Sequence, residues 1–80
     1  MEYTISNIRA QMDKVIHQVQ ERLEHHREER DIASALVKQG VRAKRYFGKA
    51  AFHDQRVEAL AAEIIMLENI RDAAIRELKH

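Results

Sequence analysis

Eighty residues with a net charge of +1 suffice for one small domain, and a chain this short buries only a modest core by itself. With no cysteine, a disulfide framework and a cysteine-based zinc site are both excluded, and the composition fits a reducing compartment. No apolar run approaches the ~20 residues needed to span a bilayer. Met1 to Ala10 has no apolar core of the secretion-signal type, and Glu2 stands where N-myristoylation requires glycine. The expected location is therefore cytoplasmic.

Helix is the expected state throughout. There is no proline, there are two glycines (Gly40 and Gly48), and charged residues of both signs make up 34% of the chain. Ala, Leu, Glu, Arg, Lys, Gln and Met dominate, and these are the better helix formers. Thr4 is the candidate N-cap of a first helix over about 5–39. Along it Ile5, Ile8, Met12, Val15 and Val19 alternate three and four residues apart, with Ile16 and Leu23 on the flank. Glu24 to Asp31 (EHHREERD) contains no apolar residue, and the stripe resumes at Ile32, Ala35, Leu36 and Val37. Lys38 suits the negative end of the helix, and Gly40 is the strongest stop signal in the chain.

A second helix is expected over about 42–78. Its first seam position carries Ala43, Ala50, Val57, Ile64, Arg71 and Leu78; its second carries Tyr46, His53, Leu60, Leu67 and Ala74. Phe47, Ala61, Ile70 and Ile75 widen the stripe on its flanks. A narrow seam with flanking apolar residues is the mark of a helix packed on other helices. The expected fold is all-α, a long antiparallel two-helix hairpin turning near Gly40, with the whole chain as one domain. Facing residues then have numbers totalling about 81. Ile5 lies near Ile75, Met12 near Ile70, Val15 near Leu67, Val19 near Ile64 and Leu36 near Arg45. The middle, Glu24 to Asp31 against Ala50 to Val57, is expected to be thinly packed. The competing arrangement is a three-helix bundle, with Asp31 and Asp54 as caps and Gly48 as a stop. It requires a turn within Glu24 to Arg30, which holds no glycine, proline or asparagine.

Charge is unevenly distributed. Lys38, Arg42, Lys44, Arg45, Lys49 and Arg56 fall within residues 38–56, where Asp54 is the only acid. That window carries +5 and the remainder −4. The hairpin tip is thus a basic end on a mildly acidic rod, a candidate for binding anionic headgroups, phosphates or an acidic protein face. Tyr46, Phe47 and Phe52 interleave with these cations as a base-stacking surface would require. Tyr46 lies on the seam and Phe47 beside it, so core packing is the expected role of those two. The near-neutral total charge weighs against a nucleic-acid partner.

Chemistry-bearing groups are sparse. Glu21, His25 and Glu29 share one helical face with His26 adjacent, but no His-x-x-x-His pair exists and no second cluster lies opposite. That face reads as solvated polar surface, and no metal or cofactor is expected. His53, on the seam, is expected to fill the thin middle. Ser6 and Ser34 are the two serines, and there is no glycine-rich phosphate loop. A two-helix rod offers no catalytic cleft, so no enzymatic activity and no small-molecule substrate are expected.

The stretch ERDIASALVKQG, Glu29 to Gly40, followed by Arg42-Ala43-Lys44, resembles the helix 1–helix 2 junction of the ESCRT-III family, the charged multivesicular body proteins. Beyond the turn, Lys49, Phe52, Gln55 and Ile64-Ile65-Met66-Leu67-Glu68 continue the likeness. It is nearest to the subclass that bridges ESCRT-II to the main filament subunit, and it covers about Glu21 to Ile70. The turn is about two residues shorter than in that subclass, and EHHREERD departs from the strongly basic first helix of the family. The resemblance implies a filament-forming, membrane-remodelling hairpin that acts in endosomal sorting or scission, lies peripherally on endosomal or other membranes, and partners with itself and with other ESCRT subunits. The alternatives are a coiled-coil adaptor or dimerisation module, and a small helical nucleic-acid-binding protein. The family's later helices have no counterpart in these 80 residues.

Overall fold

The structure is a computed structural model that describes residues 4–79. It contains two helices, α1 (Ile5–Lys38) and α2 (Ala43–Leu78), packed antiparallel along their length into a rod of 58 × 15 × 15 Å. The three-helix alternative is excluded, because α1 runs unbroken through Glu24 to Asp31. Gln39 and Arg42, expected as helical ends, lie just outside the helices as caps.

Local chemistry sets the ends. Thr4 has extended backbone geometry, and its hydroxyl accepts a hydrogen bond from the Asn7 N–H at 3.1 Å, satisfying one of the free donors of the first turn. At the other end Gly40 takes φ +77°. Its N–H donates to the Val37 carbonyl at 3.0 Å, and the Val41 N–H donates to the Leu36 carbonyl at 3.1 Å. These two bonds form a Schellman motif, in which a left-handed glycine closes off the last helical carbonyls. Arg42 is also left-handed, at φ 43°, and the chain then enters α2 with no side-chain cap. Two left-handed residues two positions apart thus reverse the chain.

The core is a line rather than a ball. Ile16, Val19, Leu23 and Ala33 of α1 and Leu60 and Ile75 of α2 are buried. Val19, Leu23 and Leu60 form its centre, with Val57, Ala61, Ile64 and Leu67 packed against them. The α2 seam follows the expected heptad through Tyr46, Ala50, His53, Val57, Leu60, Ile64, Leu67, Arg71 and Ala74, all half-buried or buried. On α1, Ile5, Ile8, Met12 and Leu36 are half-buried as seam residues. Val15 is not: it is 42% exposed, while its neighbour Ile16 is 5% exposed. The inward row reads Met12, Ile16, Val19, Leu23, His26, Arg30, Ala33 and Val37, alternating four and three residues. A seven-residue repeat drifts by ~20° per heptad on a straight helix, which moves the buried line from one candidate to its neighbour. Leu78, at the end of the rod, and Ile70, on its flank, are likewise exposed.

Candidate functional site

The basic tip is built by the turn and the first four turns of α2. Lys38 ends α1, Arg42 caps α2, and Lys44, Arg45, Lys49 and Arg56 follow on α2. All six are solvent-exposed. None forms an ion pair with an acid among the described residues. The first turn of α2 holds no acid, so its unpaired N–H groups add to the positive field at this end. The Lys49 ammonium lies 5.5 Å from the centre of the Tyr46 ring, within cation–π range.

Apolar side chains project among these cations. Phe47 is 68% exposed, correcting the expectation that it packs in the core; Phe52 and Val41 are exposed as well. Tyr46 is half-buried on the seam, as expected. On one flank an open groove of ≈ 380 Å³ runs between the helices, lined by Arg30, Ser34, Val37, Lys38, Phe47, Ala50, Ala51 and Asp54. Its breadth follows from Ala50 and Ala51, which leave space where larger side chains would close the gap.

The middle of the rod, expected to be merely thin, is an organised polar layer. His26 and His53, 27 residues apart, bring their Nδ1 atoms to 2.8 Å. One ring must donate and the other accept, so the pair holds complementary tautomers. Phe52 meets the His26 ring edge to face at 6.2 Å between centres. Partial burial between the helices pushes the His26 pKa below its usual value. The positive charge of His53, His25 and Arg56 acts in the same direction, and Glu29 opposes it.

One turn towards the tip, Arg30 donates from Nη1 to Asp54 at 3.1 Å and from Nε to Asp31 at 3.3 Å. Near the far end Arg71 repeats the device, reaching Asp13 at 2.8 Å and Asp72 at 3.0 Å. The charge-assisted bonds raise both guanidinium pKa values further. These cross-helix pairs were not foreseen from sequence. The signal was present: Arg30 and His26 occupy the heptad positions that continue Ile16, Val19 and Leu23 across the polar stretch.

Among the described residues no group of three or more histidines, cysteines or carboxylates gathers to hold a metal ion, and no helix is long and apolar enough to cross a membrane. Compared with protein-family models, with curated proteins and with solved structures, the chain matches none.

Proposed function

We propose that this chain works as a non-enzymatic structural hairpin at anionic membrane surfaces, a rod of the ESCRT-III core type that assembles with copies of itself or with other ESCRT subunits in endosomal sorting or membrane scission. One observation carries the reading. Six exposed cations with no acidic partner among the described residues crowd the tip, and Val41 and Phe47 stand exposed among them. Cations gain about 1 kcal/mol each near an anionic lipid surface, and exposed aromatic and aliphatic groups gain by entering the headgroup region. The likeness of Glu29 to Gly40 and of Arg42 to Lys44 to the ESCRT-III junction gives the reading its family.

Vesicle flotation tests it. The chain is expected to float with vesicles containing phosphatidylserine at low salt, to be released as salt rises, and to stay behind with phosphatidylcholine alone. Equal recovery with both vesicle types would remove the electrostatic basis of the reading. A binding curve on a short DNA duplex that is tighter than on vesicles would transfer the tip to a nucleic-acid role.

A further inference from the structure

One flank of the rod carries exposed apolar side chains set among polar ones, with Gln18, Arg22, His25 and Glu29 on α1 and Lys49, Arg56 and Glu63 on α2. The groove at Ser34, Phe47 and Asp54 marks one flank. On the opposite flank, helical periodicity places Val15 and Ile32 of α1 with Phe52, Met66 and Ile70 of α2. These five are 42%, 57%, 55%, 61% and 51% exposed. The chain exposes 6253 Å², against about 5000 Å² for a compact monomer of its mass. A face 58 Å long and 15 Å wide is of the size, about 800 Å² a side, that stable complexes bury.

We infer that this flank binds a second copy of the same chain in an antiparallel, two-fold arrangement, closing a four-helix bundle. The positions of the side chains along the rod select this occupant. A two-fold axis at the level of Leu60 lays α2 on α2 and α1 on α1. Phe52 then meets Met66 of the second copy, and Val15 meets Ile32. Arg56 stands opposite Glu63, and each of these contacts occurs twice. A single self-complementary patch satisfies both copies, which is the property of an isologous interface.

Charge selects the direction. A parallel pair would place two +5 tips side by side. The antiparallel pair sets each tip beside the far half of its neighbour, residues 1–23 and 60–80 with a net charge of −1, and so avoids the repulsion between two basic tips. Burying Phe52, Met66, Val15 and Ile32 supplies the association energy, and Arg56 with Glu63 supplies the register.

The inference does not rest on the membrane reading, and its test contains no lipid. The full chain is run by size-exclusion chromatography with light scattering at micromolar concentration. Twice the 9.4 kDa chain mass is expected, and a monomer would overturn the inference. Met66→Asp changes an exposed residue, so the helical signal should persist while the dissociation constant rises about tenfold or more. A dimer indifferent to Met66→Asp would point to exchange of whole helices through the core, and would also overturn the inference. Direction is read by mixing single-cysteine chains, which is clean because the protein has no cysteine. A short bis-maleimide should join Phe52→Cys to Met66→Cys. Preferential joining of Phe52→Cys to Ile32→Cys would establish the parallel pair instead. Arg56→Glu and Glu63→Arg should each weaken the dimer, and the two changes together in one chain should restore it.

Discussion

The Nδ1 atoms of His26 and His53 lie 2.8 Å apart across the two helices, so at most one proton can sit between them. A second proton there would turn one ring into a cation and set two N–H groups face to face, in a half-buried layer that also faces His25, Glu29 and Arg56. The folded-state pKa of His26 is lowered, so the unfolded chain binds protons more readily below the ordinary histidine value of about 6.5. Stability from this layer is complete above that pH and is lost as pH falls through the folded value. The melting temperature should therefore fall as pH drops below about 6.5. The drop should shrink in His26→Gln, measured by circular dichroism. An equal drop in both proteins would locate the pH sensitivity elsewhere.

Leu60 is 2% exposed and sits at the centre of the Val19–Leu23 cluster. Leu60→Ala removes buried methyl groups from a line core with little room to collapse, and should cost about 2–5 kcal/mol. For a chain this small that is a large share of the total, so the urea midpoint should fall steeply. Ile65→Ala, on an exposed side chain of the same helix, should move it little.

The two glycines should respond with opposite signs. Gly40 has open space around a would-be Cβ, but its φ of +77° strains any L side chain, so Gly40→Ala should destabilise by about 1–2 kcal/mol. Gly48 also has open space and lies inside α2, so Gly48→Ala should stabilise by about 1 kcal/mol. Thermal melts of the two variants side by side check both.

Charge reversal at the tip separates binding from folding. Lys44→Glu with Arg45→Glu alters exposed residues that pair with no acid among the described residues, so helicity and melting should hardly change. Vesicle flotation should fall several-fold, and reversing Arg9 and Lys14 at the far end should have less effect. Equal losses from both ends would mean that net charge, not the tip, governs the binding.

The hairpin itself was legible. Gly40 as the reversal, Thr4 as the cap and the α2 heptad all follow from local rules of backbone freedom, capping and periodicity, and the structure keeps them. Val15 shows where such reading loses precision. Two adjacent apolar residues, Val15 and Ile16, both fit a repeat of three and four, and only the drift of the helix against its partner decides between them. Glu24 to Asp31 shows a different loss. A stretch without apolar residues carries no hydrophobic signal, so its seam positions are visible only when the register is carried through from both sides. His26 and Arg30 gain their partners from α2, and pairing at that separation is a property of the packed helices rather than of either sequence segment. Phe47 was misplaced because Ala50 and Ala51 leave a groove where a flank residue would ordinarily be covered.

The placement of the two arginines has a further consequence. Uniform heptad seams can slide past one another by a whole repeat, about 10 Å, and still bury much the same surface. Moving one helix by seven residues would bring Arg71 from Asp13 to Ser6 or Gln20, and Arg30 from Asp54 to Phe47 or Ala61. Either direction strips both guanidinium groups of their cross-helix carboxylates at once. The rod therefore has two bolts, one towards each end, which favour a single alignment of its halves and leave slipped versions with half-buried guanidinium groups held only by the neighbouring Asp31 and Asp72.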